Sequence, residues 1–286
     1  MKKIAFIGGG SMAEAMLSGI IAKGLVGRSQ IFVTNRSDQN RLSYLSNLYG
    51  ITASSNLEKT IKGADIVVLA VKPKDVAAAM TAAGTYLREG MLLVSVAAGV
   101  DVQSLEALAG KKLPIIRAMP NTSAAVGKSA TALAVNEYAE KAHLNKAQEM
   151  FETIGLTAVV KEEQLNAVTG LSGSGPAYIY YLAEAMEKSA EEIGLEKETA
   201  KQLIIQTIIG AADMLSQSAK TPEALRREVT SPGGTTEAGI KVLETHHVKE
   251  ALIACIVKAT EQANNLGNQL KGEINTAKPE VKGISS

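Results

Sequence analysis

The feature that most limits how this chain can fold is a glycine-rich turn near its start, Gly8-Gly9-Gly10-Ser11-Met12-Ala13. An apolar run from Ile4 to Gly8 precedes it, and an amphipathic segment from Ser11 to about Lys23 follows it. A turn in this strand-to-helix context is typical of dinucleotide-binding units: Gly8 permits the tight turn, Gly10 lets backbone N–H groups approach a pyrophosphate, and Ala13 allows close packing. The positive end of the helix then faces the phosphates. The alternative is a glycine turn that binds nothing, and its context makes that the less favoured interpretation.

Up to about residue 161, short apolar runs alternate with longer amphipathic segments, which is the pattern of a parallel sheet covered by helices on both faces. The predicted strands are Ile4 to Gly8, Ile31 to Asn35, Ile66 to Val71, Leu92 to Ala97 and Ile115 to Met119. Two weaker runs, 130–135 and 156–160, extend the sheet, with a helix over 139–154 between them. We therefore expect a doubly wound α/β domain over residues 1–161.

From about residue 162 the strand signal ends and helical periodicity takes over. Apolar positions from Leu203 to Leu215 predict one face of a long helix, and those from Ala251 to Ala263 predict another. Cys255 lies on the second of these faces, so we expect core packing rather than a reactive thiol. Residues 162–286 are thus predicted to form an all-helical second domain whose tail frays from about Lys271.

Composition excludes several classes of protein. The net charge of +1 gives no basic surface for nucleic acid or for a membrane. One cysteine and three histidines cannot form a disulfide framework or a metal cluster, so no metal is expected. The run from Ile4 to Ile7 ends too soon for an export signal, and no apolar stretch approaches the roughly 18 residues that span a bilayer. We expect a cytoplasmic protein whose partner is a small molecule.

The end of the second predicted strand bears on the choice of cofactor. Sites specific for NAD place a carboxylate there to bond the ribose 2′-OH, whereas this chain has Asn35-Arg36-Ser37. Arg36 can pair with a 2′-phosphate, and Asn35 and Ser37 can donate hydrogen bonds, so NADPH is favoured over NADH. Alternatively, Arg36 stacks on adenine and serves either cofactor, or is only a solvated turn residue.

The loops that follow the later strands should line the nicotinamide side of the crevice, since ligands of such sheets bind outside the carboxyl ends of the strands. These loops are Ala70-Val71-Lys72-Pro73, Val96-Ala97-Ala98-Gly99 and Met119-Pro120-Asn121-Thr122. Ala97 and Ala98 are small enough to admit a flat ring. Lys72 could act as an acid, but a lysine at a strand end beside proline more often orients a loop or meets phosphate.

Two further glycine clusters lie among the predicted helices, at residues 170–176 and 231–237. The second precedes a helix, and its exposed N–H groups are suited to a substrate carboxylate. A tight helix crossing that needs glycine is the alternative for each cluster, and it is more credible for the first.

Together these residues resemble the pyrroline-5-carboxylate reductase family. The likeness rests on GGGSMA at 8–13, AVKP at 70–73, AAG at 97–99, RAMPNT at 117–122, GLSGSGPAY at 170–178 and SPGGTT at 231–236. It implies reduction of the cyclic imine 1-pyrroline-5-carboxylate by NAD(P)H to L-proline, the last step of proline biosynthesis. It also implies a Rossmann-type domain followed by an all-α dimerisation domain. Two subunits would intertwine so that SPGGTT of one faces the cofactor of the other, often within a decamer of five dimers.

The resemblance also implies roles for individual residues. Thr236 matches the threonine whose hydroxyl bonds the ring nitrogen, and is the expected catalytic residue. The amides expected to hold the substrate carboxylate are those of Gly233, Gly234 and Thr235, with Val229 packed beside them. Asn56 matches a position on the adenosine side of the cofactor. The full set of expected cofactor contacts is Gly8, Gly10, Ser11, Met12, Ala13, Asn35, Arg36, Ser37, Asn56, Ala70, Val71, Lys72, Pro73, Ala97 and Ala98.

Two other functions are weighed against this one. The β-hydroxyacid dehydrogenases share the two-domain plan but need a catalytic lysine, and in the GxxGxGxxxK frame from Gly170 that position is Ile179, which cannot shuttle a proton. A non-catalytic NADP-binding module would keep the first glycine turn yet tolerate loss of Thr236. The presence of the whole SPGGTT segment favours the enzyme.

Overall fold

The structure is a computed structural model that describes residues 1–276. They form two compact units: unit 1 consists of residues 1–174 together with those from Lys258 on, and unit 2 consists of Gly175–Val257. This division differs from a boundary at 161/162, because residues beyond 161 pack with the sheet. Glu162 pairs with Arg117 at 3.0 Å, and Leu165 is buried.

Unit 1 is built on an eight-stranded sheet in the order β3-β2-β1-β4-β5-β6-β7-β8. The strands are β1 (Ile4–Ile7), β2 (Ile31–Thr34), β3 (Thr52–Ala53), β4 (Ile66–Leu69), β5 (Leu92–Ser95), β6 (Ile115–Met119), β7 (Ser129–Val135) and β8 (Gly155–Val159). Neighbours from β3 to β6 are parallel, β7 runs antiparallel to β6, and β8 is parallel to β7. The predicted doubly wound α/β class is confirmed. The order reverses between β2 and β4 around β1, which places the ligand crevice outside the carboxyl end of β1.

The helices of unit 1 cover both faces of this sheet. They are α1 (Ser11–Ala22), α2 (Gln39–Tyr49), α3 (Leu57–Ile61), α4 (Val76–Ala83), α5 (Val102–Ala109), α6 (Lys141–Glu152) and α7 (Leu165–Val168). Short 3₁₀ turns lie at Arg28–Gln30, Pro73–Asp75, Thr122–Val126 and Glu162–Gln164, and a π-helical turn lies at Thr169–Gly173.

The central strands β1 and β4 are apolar along their whole length, and their residues enter two cores in alternation. In β1, Ile4 and Phe6 pack with one group of buried residues, whereas Ala5 and Ile7 pack with another. The first core includes Met16 and Leu17 of α1, and the second includes residues of α4 and α5. These two layers hold the carboxyl edge of the sheet in place.

Unit 2 contains α8 (Gly175–Glu192), α9 (Lys197–Gln217), α10 (Pro222–Glu228), α11 (Thr235–Thr245) and the first part of α12 (Val248–Thr276). The prediction that the tail frays from Lys271 is wrong for residues 271–276, which continue α12. Ile274 is 4% exposed and packs into the second core of unit 1, while Lys271 pairs with Asp101 at 3.0 Å. The rest of the predicted tail, 277–286, lies outside the described residues.

The helices of unit 2 leave much apolar surface uncovered. Ala190, Ala200 and Ile204 form its small buried cluster, but Leu203 and Leu215, on the predicted apolar face, are exposed. Cys255 is exposed, so the prediction of core packing is wrong for a single chain. The large exposed apolar residues of this unit, termed here the apolar surface of unit 2, are Ile179, Tyr180, Tyr181, Leu182, Met186, Ile193, Leu195, Leu203, Ile205, Ile209, Met214, Leu215, Val229, Val242, Leu243, Leu252, Ile253 and Val257. Within the described part of the chain, no helix is long and apolar enough to cross a membrane.

Candidate active site

The glycine turn after β1 is shaped by the approach of two strand ends. Gly8 has φ +104, and a Cβ there would lie 2.5 Å from the carbonyl oxygen of Ala70, which follows β4. The Gly8 N–H donates to the carbonyl of Thr34 at 2.9 Å, at the end of β2. Only glycine can hold this position, because a side chain would be strained by its backbone and would collide with the β4 backbone.

The N-terminus of α1 is open. Gly10 is its N-cap residue. Within residues 1–276, no side chain caps the helix, and no atom beyond the adjoining residues lies within 4 Å of the position that a Cβ of Gly10 would take. The first N–H groups of a helix have no intrahelical partners, so those of Ser11, Met12 and Ala13 are available to an anion. Ala13 is fully buried beneath the turn. An open cradle lined with amide donors fits the pyrophosphate of a dinucleotide.

The turn after β2 keeps its cationic side chain in solvent. The Asn35 side-chain oxygen accepts from the N–H groups of Ser37 and Asp38, at 3.3 and 3.4 Å, and these bonds fix the turn. Arg36 and Ser37 are exposed, and Arg36 has no recorded hydrogen bond or ion pair with another described residue. Asp38 caps α2 by accepting from the N–H of Arg41 at 2.8 Å.

Parallel strands bring the other predicted cofactor contacts to the same edge of the sheet. Ala70 donates its N–H to Ile7 at 2.8 Å, and Lys72 is exposed at the start of the 3₁₀ turn that Pro73 opens. After β5, Ala97 is buried, whereas Ala98 is partly exposed. After β3, Asn56 is exposed and caps α3 by accepting from Lys59 N–H at 2.8 Å. The topology therefore gathers the loops after β1, β2, β3, β4 and β5.

The first of the two later glycine clusters makes a tight crossing. A Cβ on Gly173 would lie 2.9 Å from the side chain of Met119, and the buried Asn121 donates its side-chain amide to the carbonyl of Ser172 at 3.0 Å. These contacts join the loop after β6 to the π-helical turn. They support the packing alternative for residues 170–175.

The second cluster forms the N-terminus of α11 in unit 2. Gly234 is the N-cap residue, and Gly233 has φ +72. The Gly233 N–H donates to the Glu237 carboxylate at 2.7 Å, and the Gly234 N–H donates to the carbonyl of Ser231 at 3.0 Å. Two of the three amides predicted to hold a carboxylate thus already have internal partners, because the loop folds back on its own first helical turn.

The donors that remain at this terminus lie in the first turn of α11. Because the first helical bond recorded there runs from Ala238 N–H to the Gly234 carbonyl, the N–H groups of Thr235 and Thr236 have no intrahelical acceptor. Thr236 is partly buried, and Val229, just after α10, is 67% exposed.

A cluster that sequence reasoning missed lies beside the glycine turn. Arg41 of α2 donates through Nε to the carbonyl oxygen of Gly9 at 2.6 Å and also pairs with Glu14 of α1. The hydroxyls of Tyr44 and Tyr49 donate to the same carboxylate at 3.1 and 3.2 Å. Burial acts to raise the pKa of Glu14, but Arg41 and the two hydroxyls outweigh it and hold that pKa below its ordinary value. No local pattern signals this cluster, since its members come from two helices.

An open α/β sheet with a glycine turn at its switch point and an uncapped helix N-terminus is the arrangement of a dinucleotide-binding domain, and the family matches give the class as oxidoreductase. Residues 3–99 match the family described as NADP oxidoreductase coenzyme F420-dependent, and residues 162–266 match the family described as pyrroline-5-carboxylate reductase dimerisation.

The chain is 46% identical to pyrroline-5-carboxylate reductase 2 of Bacillus subtilis (strain 168), over 95% of this chain and 98% of that protein. It is also similar to the solved structure of a pyrroline-5-carboxylate reductase from Coxiella burnetii, with a TM-score of 0.86 and 40% identity over 93% of this chain and 98% of that one. The Plasmodium falciparum pyrroline carboxylate reductase, solved with NADP bound, gives a TM-score of 0.84 and 28% identity over 93% of this chain and 98% of that one. The chain belongs to the pyrroline-5-carboxylate reductase family, which confirms the resemblance found in the sequence.

Proposed function

We propose that this protein reduces 1-pyrroline-5-carboxylate to L-proline with NADPH, the last step of proline biosynthesis. The observation that carries the proposal is the N-terminus of α11, where Thr235 and Thr236 present N–H groups that have no intrahelical acceptor, beside a hydroxyl. Family membership supplies the reaction, and the α11 terminus supplies the chemistry that a substrate with one carboxylate and one ring nitrogen requires.

Substrate binding would use the N–H groups of Thr235 and Thr236 for the carboxylate and the Thr236 hydroxyl for the ring nitrogen. Gly233 and Gly234 would shape the loop, and the Gly233 N–H would join the carboxylate site only when the Glu237 carboxylate leaves it. Val229 would supply an apolar wall beside the ring. These roles differ from the expected carboxylate contacts in one respect. The Gly233 and Gly234 amides already donate within the loop, so the Thr235 and Thr236 amides become the main donors.

The reaction needs little acid–base chemistry from the protein. The bound dinucleotide supplies a hydride, and a protonated cyclic imine is already electrophilic. The residues of this chain therefore have to align the ring, fix its carboxylate with oriented amides and exclude water. This explains how a site can work with Thr236 as its catalytic residue and with no histidine.

The cofactor would lie along the carboxyl edge of the sheet. Gly10, Ser11, Met12 and Ala13 would hold the pyrophosphate at the N-terminus of α1. The remaining contacts on the adenosine and nicotinamide sides would be Gly8, Asn35, Arg36, Ser37, Asn56, Ala70, Val71, Lys72, Pro73, Ala97 and Ala98. The free guanidinium of Arg36 favours NADPH, with NADH as the weaker alternative.

We further infer a cytoplasmic homodimer, with five dimers assembling into a decamer and with no nucleic-acid or membrane partner. The apolar surface of unit 2 supports self-association, since many large apolar side chains are exposed on this one helical unit. In the dimer, residues 231–236 of one subunit would complete the cofactor site of the other. On this proposal residues 1–161 bind the cofactor and residues 162–286 bind substrate and partner. Light scattering tests the proposed self-association, and a monomer at assay concentration would refute the homodimer.

The decisive assay follows the loss of NADPH absorbance on addition of 1-pyrroline-5-carboxylate, with NADH in parallel. Thr236→Ala is expected to lower kcat while the affinity for NADPH is kept. Thr245→Ala is the matched control, because Thr245 ends the same helix and its exposed hydroxyl only bonds the carbonyl of Lys241. If the protein turns over substrate with neither NADPH nor NADH, the proposed function is refuted. A wild-type kcat in Thr236→Ala would refute the role of that residue.

A further inference from the structure

The side chain of Arg41 ties three parts of unit 1 together at the glycine turn. It lies in the first turn of α2, donates to the Gly9 carbonyl at 2.6 Å and pairs with Glu14 of α1. The Arg41 and Glu14 side chains are 24% and 23% exposed. The guanidinium is thus held at two points, on the turn and on the helix that the turn opens.

The geometry of a peptide bond turns this contact into a constraint on the next residue. The Gly9 carbonyl and the Gly10 N–H belong to one planar trans peptide, so they point in opposite directions. With the carbonyl drawn to Arg41, the Gly10 N–H points away from it. No hydrogen bond to a described residue is recorded for this N–H, which remains available as a donor.

This peptide has little else to fix its orientation. Glycine lies on both sides of it, and glycine reaches backbone conformations that other residues avoid. Gly10 is exposed, with open space on its Cβ side. A rotated peptide would present a carbonyl oxygen where the donor now points, and the negative end of that dipole would repel a phosphate.

We propose that Arg41, held by Glu14, is a positioning residue for the cofactor, because it locks the Gly9–Gly10 peptide in the orientation that donates a hydrogen bond to the pyrophosphate. The inference rests on the proposed dinucleotide site. Arg41 differs from Arg36 in that its charge is already paired, so it acts through the backbone of the turn. Its effect should be the same for NADPH and NADH, since both carry the pyrophosphate.

The test compares Arg41→Gln and Arg41→Lys with Arg88→Gln. Arg88 is an exposed arginine in the turn before β5, at the opposite edge of the sheet, so its substitution removes the same charge far from the turn. Dissociation constants for NADPH and NADH are measured from nicotinamide fluorescence without substrate, followed by kcat and KM. Arg41→Gln should weaken both cofactors by about tenfold or more, as expected for loss of a charge-assisted hydrogen bond. Arg41→Lys should rescue part of the loss, kcat at saturation should be kept, and Arg88→Gln should match wild type.

A second variant separates positioning from general stability. The double substitution Tyr44→Phe and Tyr49→Phe removes two hydrogen bonds to Glu14 but keeps the contact from Arg41 to Gly9. It should lower the Tm without changing either dissociation constant. Unchanged affinity in Arg41→Gln, or an equal loss of affinity in the double variant, would overturn the inference. A wild-type protein that binds NADPH but does not turn over would refute the proposed reaction and still allow this comparison.

Discussion

Two alanine substitutions in the glycine turn should have opposite consequences. Gly8→Ala places a Cβ 2.5 Å from the carbonyl oxygen of Ala70 at φ +104. Backbone strain of this kind costs about 1–3 kcal/mol, and overpacking against a fixed backbone costs about 1–3 kcal/mol more. The expected loss of about 2–6 kcal/mol is a large part of the roughly 5–15 kcal/mol that stabilises a typical domain.

Gly10→Ala should leave the fold intact. Gly10 has φ −72 and ψ −175, which alanine adopts freely, and its Cβ would meet no atom of the other described residues within 4 Å, its two chain neighbours aside. The same open space is where the backbone has to approach the pyrophosphate, so the added methyl group should weaken NADPH binding. Loss of one or more charge-assisted hydrogen bonds predicts a ten- to hundredfold higher dissociation constant, roughly.

The two variants are assayed side by side. Because the chain has no tryptophan, urea unfolding is followed by far-UV circular dichroism at one fixed protein concentration, and NADPH binding by nicotinamide fluorescence. Gly8→Ala should unfold at lower urea, and Gly10→Ala should unfold like wild type but bind NADPH poorly. Wild-type stability in Gly8→Ala would refute the collision with β4. Wild-type affinity in Gly10→Ala would refute the location of the pyrophosphate.

Two further predictions concern charged groups of unit 1. Arg36→Gln should raise KM for NADPH by about tenfold and leave KM for NADH unchanged, since only NADPH carries the 2′-phosphate. Both KM values are measured by cofactor absorbance. Equal effects on the two cofactors would contradict the pairing of Arg36 with the 2′-phosphate. Burial acts to raise the pKa of Asp101, but hydrogen bonds from Ser104 and the charge of Lys271 outweigh it and hold that pKa below its ordinary value. The stability from this carboxylate is therefore present above its unfolded pKa of about 3.9 and is lost as pH falls through the lower folded pKa. Urea unfolding across the acid range should show a weaker pH dependence in Lys271→Met than in Lys249→Met, a control at an exposed lysine of the same helix, and equal slopes would contradict the pairing.

The sheet could be predicted from the sequence where the pattern is local. The strand β1 and the turn after it were found because an apolar run, three glycines and a helix follow one another directly. The strand β3 was missed, since two residues are too few to show a pattern. The end of α12 was wrongly predicted as frayed on composition, although Leu270 and Ile274 are one helical turn apart and both pack into the second core of unit 1.

Other features depend on partners that are distant in the sequence or absent from a single chain. The contact between Arg41 and Glu14 joins two helices, and neither residue stands in a motif. Periodicity correctly predicted the helices that contain Leu203 and Cys255, but it did not predict their exposure. An apolar face predicts burial without saying in which molecule the covering surface lies.

The two helix N-termini contribute unequal information about function. The N-terminus of α1, with Gly10 as its cap, meets the needs of any dinucleotide, and a fold of this class supports many reactions. The N-terminus of α11 is more selective, because Thr235 and Thr236 offer amides and a hydroxyl while the Gly233 N–H is held by Glu237. If substrate binds there as proposed, it has to present an anion and a hydrogen-bonding ring atom close together. We therefore expect the choice of substrate to depend on α11, whereas the N-terminus of α1 accounts only for the binding of a dinucleotide.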